Sequence, residues 1–212
     1  MKKDSLLSAL KWRYAVKKFD ANKKVSETDL QELVEAFILT PSSFGLQPWK
    51  LIYVEDIKKR EEISKYCYND SQILDSSGVF VFARNTDISS KLIDKFIDFI
   101  VEKTKIQKQA LEGYENIMKG FILGLSKLEK EFWAEKQVMI ALGNVMNVCA
   151  LKQIDSCPIE GFQKEKLDEI LSLKEKGLAS VVLLPIGYRD ENDGHLKKGK
   201  IRYNKQMMFE RV

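Results

Sequence analysis

Histidine, cysteine and long apolar runs are all scarce in this chain. It has one histidine, His195, and three cysteines, Cys67, Cys149 and Cys157, odd in number and widely spaced. That pattern indicates neither a disulfide framework nor a zinc site, so a reducing compartment and no bound metal are expected. The longest apolar stretch, Val138 to Leu151, is broken by Gly143, Asn144 and Asn147. It falls short of the roughly 20 residues that span a bilayer and reads as a buried helix. Met1 to Leu10 carries two lysines but neither an apolar core nor a small-residue cleavage site, so a cytoplasmic protein with no membrane partner is expected. Neither sign of charge dominates: 35 basic residues face 31 acidic ones, for a formal charge of +4. No run of like charge forms a nucleic-acid tail, and the mild basic bias suits a small anionic ligand. No Gly-x-Gly-x-x-Gly follows any predicted strand, which disfavours a Rossmann dehydrogenase. Internal repeats, low-complexity stretches and linkers are also lacking, and 212 residues with 44% apolar content fit one domain better than two.

What is there is mixed α/β, with helices dominating. Ser5, Leu6, Leu7 and Leu10 predict a short helix ending near Trp12. Ser26 and Asp29 form a helix-starting pair, after which Leu30, Leu33, Val34 and Phe37 recur at helical spacing until Pro41 stops the run. Leu51 to Val54 predicts a strand, Lys58 to Lys65 a helix, and Val79 to Phe82 a second, buried strand. From Ile88 to Lys152 there is no proline and only four glycines, so two or three long helices are expected, the last from about Ser126 to Leu151. After Val138 that helix is apolar on most of its circumference and must be covered on every side, which a second subunit would do. A charged helix ending at Gly177 precedes a third strand, Ser180 to Gly187, and a polar basic tail follows. Phe96, Phe99, Tyr114 and Phe121 lie in the central helical stretch and are expected mostly in the core, one or two of them lining a substrate pocket.

Four segments carry groups suited to a phosphorylated, planar ligand with polar edges. Arg13 and Lys17 lie four residues apart just after a helix; Lys200 and Arg202 alternate along an extended tail, where i and i+2 point the same way. Together they could converge on one phosphate, the arginines bidentately. Pro41-Ser42-Ser43-Phe44-Gly45-Leu46-Gln47-Pro48-Trp49 places two hydroxyls and a glycine between stiffening prolines. Cys157-Pro158-Ile159-Glu160-Gly161-Phe162 is rigid before and permissive after, leaving backbone amides to face a ligand. Taken singly, each segment reads better as solvated surface or an ordinary turn.

Taken together they resemble the nitroreductase family over nearly the whole chain. The resemblance rests on Arg-x-x-x-Lys-x-Phe at Arg13 to Phe19, Pro-Ser-Ser-x-x-x-Gln-Pro-Trp at Pro41 to Trp49, and Pro-Ile-Glu-Gly-Phe at Pro158 to Phe162. Leu173 to Gly177 and the Lys-x-Arg at Lys200 to Arg202 complete it, in the same order and spacing. The resemblance implies an α+β nitroreductase-like fold: a central, mostly antiparallel sheet flanked by helices, with a long buried helix at a homodimer interface. It implies FMN as cofactor and NADH or NADPH as electron donor, with nitroaromatics, quinones or similar small electrophiles reduced by ping-pong two-electron transfer. Arg13, Lys17, Lys200 and Arg202 would serve the phosphate and the pyrimidine edge of the flavin, with Tyr14 and Ala15 in the same segment. Lys17 would stand near N1 and O2, where a fixed cation favours the reduced anion. Pro41, Ser42, Ser43 and Gly45 would come from the other subunit. Pro158, Ile159, Glu160 and Gly161 form the turn whose Glu160 and Gly161 amides would face flavin N5, and Asn69 and Gln72 would lie beside the polar edge. No residue is assigned as catalytic acid or base, His195 is expected to be solvated, and Cys157 is expected to be a small buried packing thiol.

Three departures matter. Ala15 stands where a hydroxyl is common, Gly45 where an asparagine is often seen, and Gln72 where close relatives of the classical enzymes carry lysine. These leave open a flavin or ene reductase on the same scaffold, or a flavin-binding protein without turnover. Losing a cation at Gln72 is expected to lower the flavin potential. Gln72→Lys should therefore raise it in a redox titration; an unchanged or lower potential contradicts the assignment.

Overall fold

The computed structural model describes residues 6–212. Ser5, the expected start of the first helix, lies outside them; α1 runs Leu6–Trp12. Helix α2, Glu27–Ile38, starts as its sequence predicts, with the Ser26 hydroxyl accepting from the Asp29 N–H at 3.1 Å. Strand β1 is Trp49–Val54, followed by α3, Ile57–Ser64, and α4, Asp70–Asp75. Strand β2 is Gly78–Asn85. Three helices fill the centre: α5, Ser90–Thr104; α6, Glu112–Gly124; and α7, Lys127–Leu151. Strand β3 is Asp155–Ser156, α8 is Lys164–Ile170, β4 is Leu178–Gly187 and α9 is Lys205–Met208.

The sheet order is β1-β2-β4-β3, and all three pairings are antiparallel. Strand β2 reads as an unbroken apolar run because both faces are covered. Phe80 and Phe82 point to a cluster with Leu33 and Phe37 of α2 and Val138, Ala141, Leu142 and Val145 of α7. Val79, Val81 and Ala83 point the other way, to Ile63 of α3, Ile73 of α4 and Leu167 of α8. The period of two sorts these side chains between the layers. A third cluster joins Ile93 and Ile97 of α5, Met118 and Ile122 of α6, and Trp133 and Ala134 of α7, with Leu46 beneath them.

The expected charged helix ending at Gly177 is instead broken. Helix α8 stops at Ile170, Ser172 turns left-handed at φ 51°, and only a short 3-10 turn, Lys174–Lys176, precedes Gly177 at φ 66°. Burial of Leu173 and the Ser180 N–H donated to buried Asp168, at 2.9 Å, draw the chain in where a continuous helix would carry it past. The aromatics of the central helices are also largely outside the core. Phe99, Tyr114 and Phe121 are exposed, because Ile93, Ile97, Met118 and Ile122 take the facing positions of α5 and α6.

Helix α7 is covered on one side only. Trp133, Ala134, Gln137, Val138, Ala141, Leu142 and Val145 are buried, while Phe132, Met139 and Ile140 are exposed at 51%, 40% and 48%. Its start is fixed by a capping box, with Ser126 N–H donating to Glu129 Oε2 at 2.8 Å and the Glu129 N–H to Ser126 Oγ at 3.3 Å. Ser126→Ala is expected to lower stability by about 1 kcal/mol, read as a fall in the urea midpoint at constant slope; no change would show that the box contributes nothing.

Candidate functional site

Between α1 and α2 the chain is extended, and buried Val16 and Phe19 anchor it to the core. Ala15 forms a parallel bridge with Ser156 of β3, and Phe19 an antiparallel one with Arg189. Two buried carboxylates hold this segment. Asp155 accepts from Arg189 Nε at 2.9 and 3.1 Å, and the Arg189 guanidinium lies between the Trp12 and Tyr14 rings, 4.1 and 4.6 Å from their centres. Asp193 Oδ2 accepts from the Tyr14 hydroxyl at 3.0 Å and the Lys17 N–H at 2.9 Å; its Oδ1 accepts from the His195 N–H at 2.9 Å. Burial opposes the charge of Asp193, but the N–H groups of His195 and Lys17, the Tyr14 hydroxyl and the Lys18 N–H outweigh it and hold the carboxyl below its ordinary range.

These contacts fold the C-terminal tail back over the N-terminal segment and enclose a cavity of about 380 Å³. Arg13, Tyr14, Ala15, Lys17, Lys200 and Arg202 line it, so the two basic pairs predicted to converge do so. Among the described residues no carboxylate lines it, and none of these four cations forms an ion pair. Lys200 donates to the Lys11 carbonyl at the end of α1. Burial, then Arg13, Arg202 and Arg189, pull the Lys200 ammonium below its ordinary value; burial, then Arg202, do the same to Arg13. Arg13 Nε is buried with no hydrogen-bond partner among the described residues. Repelling cations with a donor to spare are chemically fitted to a multiply charged anion such as a phosphate.

The turn after β3 opens beside this cavity. Lys17 Nζ lies 4.0 Å from Cys157 Sγ, and Cys157 is a free, buried thiol, as expected. Ile159 pairs with Leu183 of β4, and Pro158 is half-buried. The Glu160 and Gly161 N–H groups donate to nothing among the described residues. The Tyr68 N–H donates to the Gly161 carbonyl at 3.0 Å, bringing Asn69 alongside. A Cβ on Gly161 would meet the exposed Tyr68 ring at 2.8 Å, so a side chain there would push that ring aside. Asn69 precedes α4 without capping it, whereas Gln72 is buried and donates to the Val16 carbonyl. Gln72 thus fastens the backbone next to Lys17 and does not itself line the cavity.

The Pro41–Trp49 segment lies apart. Among the described residues no hydrogen bond or ion pair joins Pro41, Ser42, Ser43 or Gly45 to the cation cavity. The Ser43 N–H instead donates to Gln137 Oε1 of α7 at 2.9 Å, and the Tyr114 hydroxyl donates to the Phe44 carbonyl at 2.7 Å. Phe44, Gly45 and Gln47 are left-handed, at φ 58°, 69° and 43°. A left-handed aromatic residue is strained, and such strain persists where surrounding contacts over-determine it. Glycine and asparagine both tolerate this region, which accounts for Gly45 where asparagine was noted.

The nitroreductase family model matches residues 10–188. This chain belongs to the nitroreductase family. Nitroreductase-family proteins are oxidoreductases, and this one is an enzyme of that class. A Staphylococcus epidermidis protein named "Putative NAD(P)H nitroreductase" is 33% identical over 94% of this chain and 93% of its own length. The Bacillus subtilis protein YfkO, also named "Putative NAD(P)H nitroreductase", is 36% identical over 88% and 90%. A nitroreductase from Exiguobacterium sibiricum, titled as putative and solved in complex with FMN, superposes with a TM-score of 0.84 over 100% of this chain and 99% of that one. At 19% identity that likeness bears on the fold alone.

Asp155, Asp193 and Arg189 were not among the site residues that the sequence suggested. Their partners lie far away in sequence, Asp193 being 179 residues from Tyr14, so no local spacing reveals them. Among the described residues no group of His, Cys, Asp and Glu could hold a metal, and no helix is long and apolar enough to cross a membrane. Because the Asp193 carboxyl is held low, its stabilisation is present above the ordinary carboxylate range and is lost as pH falls through the lowered native value. Asp193→Asn is expected to free the tail at neutral pH, read as faster proteolysis after Lys197 and Lys198, while wild type releases it only in acid. Equal protection of both proteins at pH 7 would show that Asp193 does not hold the tail.

Proposed function

We propose that this chain is a single FMN-binding domain over residues 1–212 that works in the cytoplasm as a homodimer. It passes two electrons from NADH or NADPH to nitroaromatics, quinones or similar small electrophilic acceptors. The observation that carries this reading is the cation cavity, where among the described residues no carboxylate lines the wall and the buried Arg13 Nε has no partner. Those residues fit a riboflavin phosphate: Arg13, Lys200 and Arg202 would hold its phosphate, with Tyr14 and Ala15 forming the wall. When bound, FMN supplies the two-electron hydride chemistry.

The chain's own part is to bind and orient. The Lys17 ammonium, held between the Asp193-bound backbone and Cys157, would face the pyrimidine edge and stabilise negative charge there. The free Glu160 and Gly161 N–H groups would donate to the ring's central edge, with Pro158 and Ile159 fixing the turn. Asn69 has an uncommitted carboxamide for the polar edge, and Gln72 steadies the Lys17 backbone. No side chain is needed as an acid–base catalyst.

A second subunit accounts for the two groups of site residues lying apart. The exposed Phe132, Met139 and Ile140 of α7 flank a shallow groove, and Ile38 and Leu39 at the end of α2 are exposed at 58% and 70%. An apolar surface of that kind marks an association site. Pairing two copies across α7 would bring Pro41, Ser42, Ser43 and Gly45 of one to the flavin of the other. The Ser43 hydroxyl, without a partner among the described residues, is then a donor for it.

Purified protein is expected to be a yellow dimer whose flavin bands bleach under NADPH or NADH and recover when a quinone or nitroaromatic is added. Double-reciprocal plots should be parallel, because donor and acceptor use one site in turn. Bound flavin that reduced nicotinamide cannot bleach would instead mean a sequestering protein, and intersecting lines would contradict the shared site.

A further inference from the structure

The lone histidine is not merely solvated tail. His195 lines the same cavity as Arg13, Lys200 and Arg202, on the tail that closes it. It is held there on two sides. Its backbone N–H donates to Asp193 Oδ1 at 2.9 Å, and its ring Nδ1 lies 3.6 Å from that same oxygen. Ring Nε2 lies 3.4 Å from Lys198 Nζ, and Lys198 also lines the cavity. The Asp193 side chain is 1% exposed against 45% for His195, so a buried carboxylate backs a half-exposed imidazole. A carboxylate behind Nδ1 fixes the ring's orientation, and Nε2 and Lys198 Nζ stand side by side on the cavity lining.

We propose that His195 is an ionisable phosphate-binding residue of the cofactor cavity, its protonated ring adding a sixth cationic group beside Arg13, Lys17, Lys198, Lys200 and Arg202. This rests on the reading of the cavity as an FMN phosphate site.

His195 is faced by the Asp193 carboxylate and by the Lys198, Arg13, Lys200 and Arg202 cations; Tyr14 and Lys17 reach it only through their hydrogen bonds to Asp193. A bound phosphate dianion adds negative charge and tips the balance toward the protonated ring. FMN should therefore raise the titration midpoint of His195, and by linkage bind more tightly below that midpoint than above it. Riboflavin, which has no phosphate, should do neither.

A single histidine gives a single imidazole C2–H resonance, so the test needs no assignment. The resonance is followed from pH 5 to pH 8.5 in FMN-free protein, then with saturating FMN and with riboflavin. The expected result is a rise of about one unit with FMN alone, matched by a roughly tenfold stronger FMN affinity in acid than in base. In His195→Gln that extra dependence should vanish from a flavin-fluorescence titration, while riboflavin affinity stays unchanged. FMN that binds with its fluorescence quenched but leaves the His195 midpoint in place overturns the proposal and spares the cofactor reading. Protein that takes up no FMN at all overturns both.

Discussion

Like charges gathered at one place must be held there against their own repulsion, and much of this structure serves that constraint. Arg13, Lys17, Lys200 and Arg202 face a common cavity, and burial and mutual repulsion already press on Arg13 and Lys200. The nearest carboxylates do not neutralise them. Asp155 is engaged by Arg189, and Asp193 by backbone N–H groups and the Tyr14 hydroxyl. Both acids act as struts: they fasten the N-terminal segment and the tail to the sheet edge and leave the positive field for a ligand. An anion arriving in the cavity then gains charge-assisted hydrogen bonds from groups fixed in advance by the fold.

The sheet explains how such distant segments meet. β3 is two residues long, yet it docks on β4, bridges Ala15, and opens into the turn that presents the Glu160 and Gly161 amides. Both faces of β2 and β4 are buried, so this edge is positioned by the main core and not by the loops around it. The strained Pro41–Trp49 segment is placed differently, fastened to α7 through Gln137 and to α6 through Tyr114. Its left-handed residues give a reason for it to present Ser42 and Ser43 in one conformation.

What could be read in the sequence was what local periodicity and short motifs encode. The Ser26 cap, the continuous run of β2 and the extent of α7 from near Ser126 were all legible, because neighbours in sequence determine them. Convergence of Arg13 with Arg202 was legible only through motif order. The break between α8 and Gly177 was not, since it depends on where Leu173 and Asp168 find their partners in the folded chain. Nor was the outward placement of Phe99, Tyr114 and Phe121, where isoleucines and a methionine elsewhere on the same helices claimed the inner face. The struts Asp155 and Asp193 were invisible for the same reason: a carboxylate in a polar stretch looks like surface until its donors are known.

The central claim is that the cavity reads a phosphate, and equilibrium binding of FMN and riboflavin to flavin-free protein tests it most directly. FMN is expected to bind at least roughly a hundredfold more tightly, about 2.7 kcal/mol, with the preference shrinking as salt is raised. Equal affinities for the two, unaffected by salt, would contradict it.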